Sequence, residues 1–355
     1  MQKVFDGHND LLLRLYQAPE RRDEIFLTGE GPADKRGHLD LPRMQAGGFA
    51  GGLFAIYVPS PSLPGFDYLS AMNDPPYDLA LPDLIGDAVA VPVAMAQAGL
   101  FHWMARASGE AFRACGSVAD IRASVAAGAV AGVLHIEGAE AIGPDLDALH
   151  LMQAAGLRSL GPVWSRPTIF GHGVPFRFPG DPDTGPGLTP AGEALVRECN
   201  ALRVVVDLSH MNAAGFRDVM RLSDAPLVAT HSNAHAVCNS TRNLTDWQLD
   251  AIAETGGMVG LNFATCFLRP DGRESADMGW EVMMRHLDHL IGRLGEDHVG
   301  FGSDFDGATM PEGIGDVAGL PRLIEACLAH GFGAALVEKL AMENWLRVLQ
   351  KTWGT

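Results

Sequence analysis

Paired cysteines, basic clusters and long apolar runs are all missing from this chain, and each absence removes a class of explanation. The five cysteines, Cys115, Cys199, Cys238, Cys266 and Cys327, are dispersed, odd in number and contain no Cys-x-x-Cys pair. That argues against a disulfide framework and for a reduced setting in which the thiols serve as small buried hydrophobes. Lys and Arg total 26 against 43 Asp and Glu, giving a net charge of −17. A field of that sign repels polyanions and disfavours nucleic acid and anionic membrane as partners. No run approaches the length of a membrane span, and only Met1 to Val4 precede the first motif, so no signal peptide is expected and the setting is expected to be cytoplasmic.

What is present is an ordinary globular composition, 47% hydrophobic and 19% charged over 355 residues. Neither an internal repeat nor a low-complexity linker divides it, and α/β barrels commonly use this length as one domain. Eight short apolar runs recur: Val4–His8, Gly51–Tyr57, Ala131–Glu137, Leu157–Val163, Arg203–Ser209, Pro226–His231, Gly257–Asn262 and His298–Ser303. Helical patterns lie between them, at Ser117–Ala127, at Thr189–Leu202 with Pro190 in its first turn, and at Thr245–Glu254, which opens on the capping-box pattern Thr245-Asp246-Trp247-Gln248 and stops at Gly256. Strands alternating with helices imply right-handed βαβ units, and eight of them imply a (β/α)8 TIM barrel spanning residues 1–355 as a single domain. Two long insertions, Pro59–Asp78 and Ser165–Gly187, follow the second and fourth strands, on the face where barrel loops shape a substrate pocket.

Five of the strands end in groups able to bind metal or move protons: His8 and Asp10, Glu137, His210, His231, and Asp304. Hydrophobic alternation gives no reason for ionisable residues at five carboxyl ends, so their coincidence is the signal. With Asp304 set aside for proton transfer, the remaining three imidazoles and two carboxylates exceed what one tetrahedral ion with an open position needs, and two adjacent divalent ions fit better. Glu137 would bridge them, His8 and Asp10 would hold one, and His210 and His231 the other. A hydroxide shared between the ions would be the nucleophile, with Asp304 as proton carrier to the leaving group.

The runs Asp6-Gly7-His8-Asn9-Asp10, Ile136-Glu137-Gly138, Asp207-Leu208-Ser209-His210, Thr230-His231-Ser232-Asn233, Arg242-Asn243 and Gly302-Ser303-Asp304-Phe305-Asp306-Gly307 resemble, in order, the membrane (renal-type) dipeptidases of the amidohydrolase superfamily. The resemblance implies a barrel of the metal-dependent hydrolase type with two Zn2+ per chain, a metallopeptidase cleaving dipeptides and tolerating a D-residue at the carboxyl-terminal position. It implies Arg242 as a substrate-binding arginine and Asp304 as the aspartate that handles the proton and the substrate's amino end. It also carries the expectation of homodimers.

One departure stands out. Where the family has a substrate-binding histidine after the fourth strand, this chain reads Gly161-Pro162-Val163-Trp164-Ser165. Trp164 can donate one hydrogen bond but carries no proton or charge, so His172 in the following loop is the substitute candidate. That change keeps open a second reading, another hydrolase of the superfamily such as an N-acyl amino acid amidase or a lactonase; a third, from a different class, is a metal-binding barrel without catalysis. Elsewhere, His286 and His289 are expected on the solvated or boundary face of a helix over Met278–Leu294, His135 inside the barrel beside Glu137, and His235 in a loop near the site.

Overall fold

The computed structural model of the protein describes residues 1–30, 37–61 and 68–354. Eight parallel strands form its frame: β1 (Val4–Asn9), β2 (Phe49–Tyr57), β3 (Val130–Glu137), β4 (Leu157–Gly161), β5 (Val205–Val206), β6 (Val228–Ala229), β7 (Met258–Leu261) and β8 (Val299–Phe301). The ladder runs β5-β4-β3-β2-β1-β8-β7-β6. A parallel bridge between Asp207 and Val228 joins its two ends, so the sheet closes into the expected barrel. Helices Val118–Ala126, Pro190–Ala201, Asp246–Glu254 and Trp280–Leu294 lie where the patterns placed them. The capping box at Thr245 and Gln248 is formed, and Thr189 Oγ1 accepts from Gly192 N at 3.1 Å ahead of Pro190.

Strand alternation sorts the apolar residues into two layers. Phe5, Leu53, Val133, Val205, Val228 and Met258 come from six strands yet form one cluster with Trp345 and Leu349 of the final helix, Asn344–Trp353. Strands spread round a barrel can share a cluster only inside it. Their chain neighbours Val4, Phe54, Leu134, Val206, Ala229 and Val259 belong instead to the larger core beneath the surrounding helices. The Trp345 indole donates to Phe301 O at 2.9 Å. It fills the floor of the barrel at the level of Gly7, Gly260 and Gly300, where an added Cβ would run into the ring.

Three features were not expected. A short strand, Phe112–Ala114, pairs with the start of β3. The two long insertions pair with each other: Tyr77–Asp78 and Arg177–Phe178 form an antiparallel two-stranded sheet, with Arg177 Nε 2.9 Å from Asp78 Oδ2. Residues 62–67 of the first insertion lie outside the described residues. Finally, helix Asp87–Ala107 is long and apolar enough to cross a membrane by length and composition, against the expectation that no run would be. Its inner face, including Ala90, Ala94, Phe101 and Met104, packs into the outer core, as a covering helix of a barrel does.

One further expectation needs adjustment. His286 is fully buried rather than solvated: its Nε2 lies 2.9 Å from Leu268 O and its Nδ1 accepts from Ala234 N at 3.2 Å. His289 does sit near the surface, 2.7 Å from Asp246 Oδ1. The five cysteines are free and buried.

Candidate metal centre

Inward alternation continues past the floor and delivers His135 and Glu137 from β3, in line with Val133. Beyond β5 it delivers Asp207. On β1 the pairing register shifts between Asp6 and Asn9, and this break re-aims His8, whose Nε2 comes 3.5 Å from Asp10 Oδ2 and 3.7 Å from Glu137 Oε2. On the opposite side Glu137 Oε1 lies 3.0 Å from His210 Nε2 and 3.3 Å from His231 Nε2. Those two imidazole nitrogens are themselves 3.2 Å apart. The rings of His8 and His231 stack at 3.8 Å. All five residues expected as metal ligands are therefore brought together, and each is buried.

Backbone strain marks the same place. His210 (φ 67°), Asp304 (φ 62°) and Asp306 (φ 69°) adopt left-handed conformations, each costing on the order of 1–3 kcal/mol and retained where the surroundings impose it. Asp304 follows β8, accepts a hydrogen bond from Asn262 Nδ2 at 2.9 Å and donates its own N–H to His8 O at 3.0 Å.

The electrostatics of the cluster are compatible with a cation. Burial holds the imidazoles of His8, His210 and His231 below the usual histidine range, so all three are neutral, the form in which imidazole ligates. Burial raises Glu137 well above the carboxylate range, with Asp10 and Asp304 repelling its charge further. Asp10 is pushed up to about 7 by burial and then by Asp306, and Asp304 is raised by burial. His8 Nδ1 and Nε2 are buried with no hydrogen-bond partner among the described residues. Neutral imidazoles, crowded acids and unpartnered ring nitrogens fit divalent cations, which would offset the repulsion and take up the lone pairs. His8, Glu137 and His231, and separately His8, Asp10 and Asp304, each present ligand atoms within 4.8 Å of one another.

Beside this centre lies a cavity of about 240 Å³. One side carries Asp10, Asp304 and Asp306, and the other Met72, Trp164, Phe176 and Phe267. Met72 and Phe176 come from the two insertions, whose small sheet thus stands beside the cavity. Trp164 packs edge-on against Tyr57 and Phe176, at 5.2 and 5.4 Å, and lies 5.7 Å from the His210 ring. Beneath it Arg166, fully buried, donates to Glu140 Oε1, Ser60 Oγ and Val58 O, pinning the loops after β2, β3 and β4 to one guanidinium. Arg242 is buried behind the wall rather than lining it. Its Nη1 and Nη2 donate to Ser232 Oγ and His231 O, both at 3.0 Å, and its guanidinium lies 5.7 Å from the Phe267 ring centroid. His172 does not line the cavity; its carbonyl accepts from Asn212 N at 3.3 Å. His235 Nε2 lies 2.8 Å from Gly180 O, and His135 Nδ1 lies 2.9 Å from Ser159 Oγ.

Sequence reasoning missed the supports. Asp6 accepts from Ser303 N and Oγ at 2.7 and 2.9 Å, tying β1 to β8; Asp207 does the same for Thr230 N and Oγ1 at 2.8 and 2.6 Å, tying β5 to β6. Each is an aspartate in an otherwise apolar strand end, two or three residues ahead of an expected ligand, and that was the signal by which both could have been found.

Comparison with known proteins agrees with this geometry. The model of the membrane dipeptidase family, peptidase family M19, matches residues 1–353. An uncharacterised protein from Klebsiella pneumoniae, from the pqqA 5' region, is 52% identical over 244 residues, 68% of this chain and 89% of that protein. An uncharacterised protein from the PQQ-III 3' region of Acinetobacter calcoaceticus is 41% identical over 292 residues, 82% of this chain and 90% of that one. The crystal structure of a metallo peptidase from Rhodobacter sphaeroides, liganded with a phosphinate mimic of the dipeptide L-Ala-D-Ala, superposes with a TM-score of 0.96 at 63% identity, covering 99% of both chains. The probable dipeptidase PvdM from Pseudomonas aeruginosa shares the fold, with a TM-score of 0.80 at 22% identity over 99% of this chain and 96% of that one. The chain belongs to the membrane dipeptidase family, peptidase family M19, and is a metal-dependent dipeptidase acting on peptide bonds.

Proposed function

We propose that the protein holds two zinc ions and hydrolyses small dipeptides, accepting a D-residue at the carboxyl-terminal position. The observation that carries the first part is the placement of Glu137, whose Oε2 faces His8 while its Oε1 faces His210 and His231. A carboxylate shared between two donor sets is what two neighbouring ions require. The phosphinate mimic of L-Ala-D-Ala held by the Rhodobacter sphaeroides relative supports the second part.

Bound divalent cations would polarise the scissile carbonyl and acidify a water. Asp304 takes the proton from the attacking water and returns it to the departing amine, its carboxylate oriented by Asn262. The acidic side of the cavity attracts the substrate's ammonium, and Met72, Trp164, Phe176 and Phe267 receive its apolar parts and exclude water. Arg242 supplies positive charge from behind Phe267, opposite in sign to the substrate carboxylate. His172, which does not line the cavity, has no part in this reading.

The test is a panel of L,L and L,D dipeptides and lactones, assayed with the metal content of the same preparation. Dipeptide turnover, including L,D substrates, at two zinc ions per chain is expected. Lactone turnover without dipeptide turnover would overturn the substrate assignment, and full activity at one zinc would overturn the paired centre.

A further inference from the structure

A threonine hydroxyl has one proton to give, and Thr230 Oγ1 has two close polar neighbours and a third, Ser209 Oγ, at 3.4 Å, whose own hydroxyl is free to donate to it. Thr230 Oγ1 lies 2.6 Å from Asp207 Oδ2 and 2.8 Å from His231 Nδ1. The other Asp207 oxygen already accepts from Ser209 N at 3.0 Å and Thr230 N at 2.8 Å, so the carboxylate acts as an acceptor on both sides. The hydroxyl proton therefore goes to Asp207, and Oγ1 is left to accept from His231 Nδ1–H. Only one tautomer of His231 satisfies this chain. It leaves the Nε2 lone pair facing Glu137 Oε1 and His210 Nε2, at 3.3 and 3.2 Å.

We propose that Asp207 and Thr230 are positioning residues that fix His231 as the Nδ1–H tautomer and so prepare its Nε2 for metal before any ion arrives. The proposal rests on His231 being a ligand, as in the reading above. An imidazole whose second nitrogen donates into a hydroxyl–carboxylate chain is held in rotation and made a better electron donor. His210 differs: its Nδ1 meets Ser165 Oγ at 2.8 Å, a hydroxyl that can donate or accept, so that contact does not dictate its tautomer. Asp207 also closes the barrel through its bridge to Val228, which makes Thr230 the cleaner site to perturb.

The experiment uses full-length protein stripped of metal and labelled with 15N-histidine. NMR of the ring nitrogens should show His231 as the Nδ1–H form, its signals identified by their displacement in Thr230→Ser. In Asp207→Asn the side-chain amide would donate to Thr230 Oγ1, the hydroxyl would turn to His231 Nδ1, and the ring proton should move to Nε2. Zinc affinity, read by chelator competition, should fall roughly ten- to a hundredfold for one ion in Thr230→Val and stay within about threefold of wild type in Thr230→Ser. Wild-type His231 in the Nε2–H form, or a Thr230→Val protein that binds zinc like wild type, would overturn the proposal. Should Thr230→Val fail to fold, the wild-type and Thr230→Ser spectra still decide. A wild-type protein with the Nδ1–H form that takes up no zinc would refute the metal reading and leave the orienting chain intact.

Discussion

Replacing Asp304 by Asn removes proton transfer, together with one negative charge from the acidic side of the cavity, while leaving the shape of the side chain in place. The side chain keeps its shape, and its oxygen can still accept from Asn262 Nδ2, 2.9 Å away in the wild type. The backbone at φ 62° is one that Asn tolerates about as well as Asp, whereas Ala there would cost roughly 1–2 kcal/mol in addition. Folding should therefore be little changed. What is lost is a group that can take and give a proton, worth roughly 10²- to 10⁴-fold in rate, or about 3–5 kcal/mol of barrier lowering. The assay is release of free amino acid from an L,D dipeptide, with zinc content measured on the same sample. Expected is a kcat lower by that factor, a raised KM because one of the three carboxylates facing the substrate's ammonium is gone, and unchanged zinc. A kcat within about threefold of wild type would refute the proton-carrier role. Loss of zinc would instead make Asp304 a ligand, which its proximity to His8 and Asp10 allows.

If Glu137 is shared between two ions, Glu137→Gln should lower zinc content by at least one ion per chain and abolish turnover, because an amide cannot present two anionic oxygens; two retained ions would contradict that proposed role. His286, held down to about 4 by burial, stays neutral when folded and binds a proton near its ordinary value of about 6.5 when unfolded. Its contribution is complete above about pH 6.5 and is lost as pH falls towards 4. Relative to His286→Gln, wild type should therefore lose about 2 kcal/mol between about pH 7.5 and 5, at about 1.4 kcal/mol per unit; parallel urea midpoints across that range would refute it. Trp345→Ala should destabilise by about 3–5 kcal/mol through the void it opens, read as a lowered Tm, and an unchanged Tm would mean that the floor is sealed otherwise.

The strands were legible because their apolar residues are short, β-rich runs separated by helix signals, and the cluster of His8, Asp10, Glu137, His210 and His231 because strand ends collected ionisable groups. The pairing of Tyr77–Asp78 with Arg177–Phe178 was not, since it joins segments distant in the chain and each contributes only two residues. His286 misled for a different reason. Its helical neighbours set an amphipathic pattern that a histidine can join from either side, and only the Leu268 carbonyl and the Ala234 amide, distant in sequence, decide that it faces inward. Arg242 was found through its motif, yet its position behind Phe267 depends on tertiary packing that no spacing encodes. Asp6 and Asp207 escaped because their partners, Ser303 and Thr230, sit on neighbouring strands.

By plugging the far end of the barrel, the Trp345 indole denies the reaction a back exit. Among the described residues the open side of the cavity is the one carrying Met72 and Phe176, and a product leaving by it stands in the path of the next arrival. Enzymes built as cul-de-sacs slow down as their own products accumulate, and here the free amino acid whose carboxylate and side chain match those of the substrate should act as the competitive inhibitor.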